Sequence, residues 1–301
     1  MRLESFSGIK VRRSCPFAPK RIISKRWNED LVYEGSSGKF GMWKGTERVD
    51  DTWTVCFNQL PFNQLVFSLS PSAMGQVGIF PEQQENWLWI KNRLLKYRQK
   101  NDGSLKVLNA FAYTGGSSLA ALSIPGVHVV HLDASKTCVQ VAKQNAKLSG
   151  LEDRPVRWIV DDCMTYIQRE IARKNTYDAV ILDPPAFGRS GKNKAWKLDR
   201  DLPRLMELLP QLLSDPPQFV LLTCHDPSWP PDRLADILAN TMGSWSSMGR
   251  IEKGAMSLRP KIAPPPPPAA AAATAVVNEE ENAKKAHPLY LGAFARWSRE
   301  D

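Results

Sequence analysis

Three acidic positions stand where chemistry is expected, each directly after an apolar run that predicts a β-strand. Asp133 follows VHVVHL, the pair Asp161–Asp162 follows RWIV, and Asp183 follows AVIL. Because the carboxyl ends of parallel strands meet at one edge of a sheet, we expect these carboxylates to line one crevice. Ionised carboxylates there can accept hydrogen bonds from ribose hydroxyls or from the amino group of a base.

A glycine pair, Gly115–Gly116, separates the strand-like KVLNAFAYT from the helix-like SLAAL. A strand, a tight turn and a helix amino terminus form a ligand crevice, since N–H groups and the helix dipole converge there. The turn has no G-x-G-x-x-G pattern and no lysine, which favours an adenosyl ligand without phosphates over a dinucleotide. Asp133 lies about 20 residues further on, the interval expected for ribose recognition. Ser117 and Ser118 are predicted to cap the helix.

The run Asp183-Pro184-Pro185-Ala186-Phe187 predicts the second half of the crevice. Two prolines fix the backbone, so Asp183 and the neighbouring carbonyls point in defined directions. Phe187 can stack on a planar base that has left its helix. Taken alone, the run is also typical of an ordinary turn.

Two of the polar candidates have a structural alternative. One of Asp161 and Asp162 can accept a hydrogen bond from the adenine amino group, and we favour Asp162 because it lies nearer the crevice. The same residue can instead cap the next helix, and both roles are compatible. Cys224, at the end of QFVLLTC, can be a nucleophilic thiolate or a small apolar residue. His225 beside it can act as a base or lower the pKa of the thiol.

These residues require a regular succession of strands and helices, which the sequence contains from Lys106 onward. Strand-like and helix-like segments alternate up to the helix that Pro230–Asp232 introduces, and this predicts an α/β fold with a mostly parallel sheet. Residues 53–57 and 64–70 predict a small antiparallel extension. MSLRP and YLGAFARWS predict a terminal hairpin, with the proline- and alanine-rich insert 264–286 at its tip.

Composition favours an anionic partner in a reducing compartment. The 301 residues carry 40 Lys and Arg against 31 Asp and Glu, a net charge of +9 that favours nucleic acid. The five cysteines are scattered without a C-x-x-C pair, which speaks against a metal site and a disulfide framework. No apolar run is long enough to predict a membrane span. Residues 1–26 hold eight basic residues and one acid, and predict a disordered arm, an RNA contact or an organelle-targeting segment.

Taken together, these motifs resemble the class I S-adenosylmethionine-dependent methyltransferases, in the branch with the large-subunit rRNA cytosine-C5 and guanine-N7 enzymes. LNAFAYTGG, HLDAS, VDDC, DPPAFGRSGKNKAW, VGIFPEQQENW and LGAFARWS carry the resemblance, from about Trp53 to Trp297. The cofactor-contacting residues that the resemblance implies are Phe80, Gln83, Asn109, Ala112, Tyr113, Thr114, Gly115, Asp133, Ala134, Asp162, Cys163 and Asp183. On the target side it implies Asp183, Pro184, Pro185 and Phe187, with Cys224 as the open alternative.

The resemblance also implies a fold and a domain plan. It implies a doubly wound, seven-stranded, mostly parallel Rossmann-like sheet in a methyltransferase domain over 85–301. Before this domain, the composition and the strand-like runs predict a β-rich extension over 27–84 and a basic arm over 1–26. S-adenosylmethionine is the implied cofactor, ribosomal RNA the implied substrate, and cytoplasm, chloroplast or mitochondrion the compatible locations. The insert is foreign to the family pattern, and no PUA domain is recognisable.

Several alternatives remain at this point. The acceptor can be a protein or a small molecule, or the fold can serve as a non-catalytic RNA-binding module. A nicotinamide dehydrogenase is disfavoured by the missing G-x-G-x-x-G. The target atom, carbon C5 or a ring nitrogen, and the oligomeric state stay open.

Overall fold

The computed structural model describes residues 1–15, 28–35, 40–58, 64–190, 194–258 and 289–300. The strands of the amino-terminal part are β1 (Arg2–Phe6), β2 (Ile9–Arg13), β3 (Leu31–Glu34), β4 (Met42–Lys44), β5 (Trp53–Phe57) and β6 (Leu65–Leu69). Those that follow are β7 (Leu105–Ala110), β8 (Val127–Asp133), β9 (Val156–Val160), β10 (Ala179–Leu182), β11 (Phe187–Ser190), β12 (Lys194–Lys197), β13 (Phe219–Cys224), β14 (Gly249–Leu258) and β15 (Leu289–Arg299). The helices are α1 (Gln84–Lys100), α2 (Gly116–Leu122), α3 (Lys136–Leu148), α4 (Cys163–Ala172), α5 (Leu198–Leu208) and α6 (Pro231–Thr241).

A seven-stranded sheet forms the centre of the molecule, in the order β14-β15-β13-β10-β7-β8-β9. Strands β7 to β10 and β13 are parallel, while β15 runs antiparallel to both β13 and β14. The predicted seven-stranded, mostly parallel sheet and its terminal hairpin are confirmed. Strands β10 and β13 are buried along their whole length, as expected for parallel strands covered on both faces.

The strand order reverses between β7 and β10, and this fixes where a ligand can enter. The chain runs outward from β7 to β9, then returns to place β10 on the other side of β7. The loops that leave the carboxyl ends of β7 and β10 therefore diverge, and they open a crevice at the switch point. The glycine pair follows β7 and Asp183 follows β10, so the topology brings the two motifs together.

The start of the chain corrects one expectation, because it is folded over residues 1–15. β1 and β2 form an antiparallel hairpin at one end of a four-stranded sheet, in which β2 and β3 are parallel. Phe6, Val11 and Leu31 are buried in its core, and the buried Arg13 pairs with Glu4 at 2.6 Å. Apolar residues interspersed among the charges thus make strands that the excess of basic residues concealed. A targeting role stays a prediction.

The predicted antiparallel extension is confirmed, because β5 and β6 pair antiparallel. The insert 264–286 and residues 16–27 lie outside the described residues. None of the helices in the described part of the chain is long and apolar enough to cross a membrane.

Candidate functional site

The glycine loop (residues 111–115) joins β7 to α2 in an unusual backbone conformation. Phe111, Tyr113 and Gly115 all have positive φ, at 57°, 49° and 95°. Positive φ is uncommon for residues other than glycine and costs free energy, so the surroundings must hold the loop in place. The positive φ of Gly115 favours glycine, and a Cβ there would lie 3.1 Å from the Ala142 side chain, which would have to move by a few tenths of an ångström.

Beneath the glycine loop, three buried polar residues form an inner network. Asn109 donates to Ser118 Oγ at 2.9 Å, and Ser118 Oγ lies 3.0 Å from His131 Nδ1. Burial lowers the pKa of His131 to about 3, so its imidazole is neutral. The expected serine cap is wrong: Gly115 occupies the N-cap position of α2, and Ser118 points inward instead. The Asn109 amide is buried and bound within this network, and a contact of this residue with the cofactor stays a prediction.

Asp133 faces the glycine loop and is held by backbone groups. Its carboxylate accepts the N–H of Tyr113 and the N–H of Ser135, each at 2.8 Å. Burial raises the pKa of this carboxyl, against the two hydrogen bonds. A carboxylate has about four acceptor positions, so about two remain for a ligand. Ala134, next in the chain, is exposed.

Both carboxylates of the acidic pair after β9 make structural contacts within the protein. Asp162 is the N-cap of α4 and accepts the N–H and the hydroxyl of Thr165 at 2.9 and 2.8 Å. Asp161 forms an ion pair with Arg169. The capping alternative is thus realised for Asp162, and its role toward adenine stays a prediction. Cys163 is buried, and burial raises the pKa of its thiol.

Asp183 is held by side chains from distant parts of the chain. Thr223 Oγ1 donates to one carboxylate oxygen at 2.6 Å and Gln83 Nε2 to the other at 3.0 Å. His225 Nε2 lies 3.7 Å from the second oxygen. Burial opposes ionisation, but the His225 charge and these donors outweigh it and lower the pKa of Asp183.

His225 lies between two carboxylates. Its Nδ1 is 3.0 Å from the carbonyl oxygen of Leu291 and 3.7 Å from Glu82 Oε1. Burial alone would lower its pKa, but Asp183, Glu82 and the Leu291 carbonyl raise it to about 9. Glu82 is buried, and within the described residues its Oε2 has no hydrogen-bond donor. Burial raises the pKa of Glu82, although His225 opposes this.

The covering segment (residues 77–83) connects the two halves of the crevice. The Phe80 ring lies 5.3 Å from the Tyr113 ring and 5.0 Å from the His225 ring, measured between centroids. Gly78 accepts a hydrogen bond from the Thr114 hydroxyl at 2.7 Å. Gln83 reaches Asp183, as described above. The predicted Phe80, Gln83, Tyr113 and Thr114 are therefore brought together.

On the other side of Asp183, a buried tryptophan holds the proline pair. Trp196 Nε1 donates to the carbonyl oxygen of Pro185 at 2.7 Å, and its ring lies 4.8 Å from that of Phe111. Pro184 is buried. Phe187 begins the β11–β12 hairpin and is 76% exposed, so its ring is available for stacking.

Cys224 is fully buried at the end of β13. Its sulfur accepts the N–H of Asp226 at 3.3 Å. Burial raises the pKa of the thiol to about 12, against that hydrogen bond, and the nearby carboxylates of Asp183 and Asp226 raise it further. A thiol in this state is protonated at neutral pH and is a weak nucleophile. This geometry agrees with the alternative that Cys224 serves as a small apolar residue at a strand end.

Some functional residues were missed or undervalued in the sequence. Glu82 and Trp196 lie inside motifs that carry the resemblance but were assigned no role. Thr223 and His225 stood out only as neighbours of Cys224. Their partners lie far away along the chain, and the hydrogen bond from Gln83 to Thr223 spans 140 residues. No local pattern reports such pairs. Among the described residues, no group of three or more His, Cys, Asp or Glu is placed to hold a metal.

Comparison with known proteins agrees with this geometry. A crystal structure of the SAM-dependent methyltransferase from Agrobacterium tumefaciens superimposes with a TM-score of 0.78 at 30% identity, covering 99% of this chain and 87% of that one. The ribosomal RNA large subunit methyltransferase I of Aeromonas salmonicida is 31% identical over 38% of this chain and 27% of that protein.

A third relative is the ribosomal RNA large subunit methyltransferase K/L of Pseudoalteromonas atlantica, 32% identical over 46% of this chain and 18% of that protein. The aligned part thus spans less than a third of each of these two curated relatives. The family model for S-adenosylmethionine-dependent methyltransferases matches residues 51–271. On this match, the switch-point crevice belongs to a methyltransferase, and the chain is a member of the S-adenosylmethionine-dependent methyltransferase family.

Proposed function

We propose that this methyltransferase modifies a base in RNA, and specifically in large-subunit ribosomal RNA. The observation that carries the proposal is the exposed Phe187 beside Asp183, on a loop that Trp196 and two prolines hold rigid. Base–aromatic stacking contributes roughly 1–3 kcal/mol per base. The names of the two curated relatives and the net charge of +9 support RNA as the acceptor.

The residues of the crevice fit the cofactor. We propose that Asp133 binds the ribose hydroxyls, Asp162 and the Cys163 backbone bind adenine, and Ala112 with its neighbours in the glycine loop faces the methionine end. The buried Oε2 of Glu82, which has no donor among the described residues, suits an ammonium group. When bound, S-adenosylmethionine supplies a methyl group that its sulfonium already activates. The protein's part is to align the acceptor in a dry site.

The acceptor atom that the site supports best is a nitrogen. A cytosine C5 needs a thiolate at C6, and the Cys224 thiol is buried with its pKa raised to about 12. A ring nitrogen carries its own lone pair and needs no covalent intermediate. Asp183 and the Pro185 carbonyl, both fixed by named donors, would orient the base.

The cell compartment is proposed on chemistry alone. All five cysteines, each within the described residues, are free thiols. This suits a reducing compartment, which can be the cytoplasm or the interior of a chloroplast or mitochondrion.

The test is to map methylated nucleosides. Large-subunit rRNA from cells lacking the chain is incubated with the purified protein and S-adenosylmethionine, digested, and analysed by mass spectrometry. We expect one added methyl group on a base nitrogen, and RNA binding that weakens steeply with salt. The matched variant Phe187→Ala should slow methylation at limiting RNA and leave affinity for S-adenosylhomocysteine unchanged.

Three outcomes would change the proposal. A 5-methylcytosine product would restore the carbon acceptor. Methylation of a protein or small molecule with unmodified rRNA would refute the RNA assignment. Cofactor binding without transfer to any acceptor would favour a non-catalytic module.

A further inference from the structure

We propose that Asn145 is a positioning residue of the cofactor site, which joins the amino-terminal β5–β6 hairpin to the glycine loop. Asn145 lies on α3 and is fully buried. Asn145 itself belongs to none of the motifs that the sequence analysis identified. The inference concerns cofactor binding and does not depend on which acceptor is methylated.

The amide of Asn145 contacts both structures at once. Its Oδ1 accepts the N–H of Ser68 in β6 at 2.8 Å, and its Nδ2 donates to the carbonyl oxygen of Thr114 at 2.9 Å. One side chain therefore uses its acceptor on the extension and its donor on the loop. Only an amide offers both at this length, because an aspartate would keep the acceptor and lose the donor.

The outer edge of β6 explains why the hairpin lies against α3. β5 and β6 form a two-stranded sheet, and β6 directs backbone N–H groups away from β5. Asn145 accepts one of these, and Ser149 Oγ, one helical turn further on, accepts the Val66 N–H at 2.9 Å. Helix side chains thus satisfy a strand edge that would otherwise be exposed to pairing with another chain.

Thr114 is held from two directions. Its carbonyl accepts from Asn145, and its hydroxyl donates to the Gly78 carbonyl in the covering segment. The covering segment follows β6 in the chain and is tied back by the hydrogen bond from Ser70 N–H to Val77 at 3.1 Å. These hydrogen bonds therefore connect four parts of the molecule to one another: the β5–β6 hairpin, α3, the glycine loop and the covering segment.

These connections matter because the backbone of the glycine loop is strained. Phe111 and Tyr113, with positive φ, persist only when neighbouring groups over-determine their conformation. Asn145 is one of those groups, and it links the conformation of the glycine loop to the position of the β5–β6 hairpin. Coupling of this kind is reciprocal, so cofactor binding should steady the hairpin to the same extent that the hairpin supports binding.

The test compares two variants one helical turn apart. Asn145→Asp keeps the acceptor for Ser68 and removes the donor to Thr114, so the dissociation constant for S-adenosylhomocysteine should rise about tenfold, a change that corresponds to about 1.4 kcal/mol. Ser149→Ala removes only a hairpin contact, and its dissociation constant should stay within about twofold of the wild type. Calorimetry measures both.

Amide hydrogen exchange in the wild-type protein gives a second readout. S-adenosylhomocysteine should slow exchange of the Ser68 N–H, and the slowing should be absent in Asn145→Asp at saturating ligand. Two results would overturn the proposal: wild-type affinity in Asn145→Asp, or unchanged Ser68 exchange when the wild type binds ligand. The exchange measurement decides the matter even if Asn145→Asp fails to fold.

Discussion

Asp133 and Asp183 are both carboxylates at the ends of parallel strands, yet their surroundings differ in kind. Asp133 accepts two backbone N–H groups, and burial raises its pKa. Asp183 accepts from the Thr223 and Gln83 side chains and faces the His225 charge, which together lower its pKa. The half of the crevice around Asp133, which we propose binds the cofactor (the cofactor half), is thus shaped by backbone conformation. The half around Asp183, which we propose binds the acceptor (the acceptor half), is shaped by a charged side-chain network.

The difference predicts how each half fails. A backbone-held site should fail when the loop conformation is disturbed. A side-chain-held site should respond to pH and to the loss of single partners. The predictions below test this contrast, from the largest expected effect to the smallest.

Gly115→Ala should cause the largest loss. The left-handed conformation and the contact with Ala142 together should cost roughly 2–4 kcal/mol in the free energy of unfolding, and affinity for S-adenosylhomocysteine should fall with it. Gly150→Ala is the matched control, because Gly150 also has positive φ but its Cβ would meet nothing within 4 Å. It should lower stability by roughly 1–2 kcal/mol and leave affinity unchanged. Equal loss of affinity in both variants would contradict the backbone argument.

Asp133→Ala should weaken S-adenosylhomocysteine binding by roughly 1.5–3 kcal/mol, the contribution of hydrogen bonds to a charged group. Calorimetry measures the change. Asp153→Ala is the control, since it removes an exposed carboxylate in the turn after α3, and it should bind nearly as the wild type does. Unchanged affinity in Asp133→Ala would remove this residue from the cofactor site.

The acceptor half should respond to pH through His225. Its folded pKa of about 9 lies above the ordinary 6.5, so its stabilising contribution is complete below about pH 6.5 and is lost as pH rises through 9. The ring is 28% exposed, which reduces the contribution to about 1–2 kcal/mol. The wild-type advantage over His225→Gln in urea unfolding should therefore shrink between pH 6.5 and 10. A constant difference would mean that Glu82 and Asp183 do not hold a charged imidazole.

Cys224→Ala should have the smallest effect on catalysis. Turnover should stay within a few-fold of the wild type and cofactor affinity should not change, while the small cavity should cost about 1 kcal/mol of stability. RNA containing 5-fluorocytosine provides the complementary measurement. A trapped covalent adduct, or abolished turnover in Cys224→Ala, would establish the thiolate route.

The parts of the site that depend on residues close together in the sequence could be predicted from it. The Asp133 position and the Gly115 turn follow from strand ends and spacing. The βα alternation likewise predicted a mostly parallel sheet with a crevice at the carboxyl ends of its strands. These features depend on backbone geometry over a few residues, so composition and periodicity report them.

The tertiary structure alone decided the rest. Gln83, Thr223 and His225 meet around Asp183 from separate elements, and Asn145 joins β6 to the glycine loop across the molecule. Ser118, a plausible cap by spacing, turned inward once Gly115 took the N-cap position. The basic start of the chain forms two strands because Phe6 and Val11 pack in a core. Each outcome depends on which distant partner lies within hydrogen-bonding or packing distance, a quantity that only the folded chain defines.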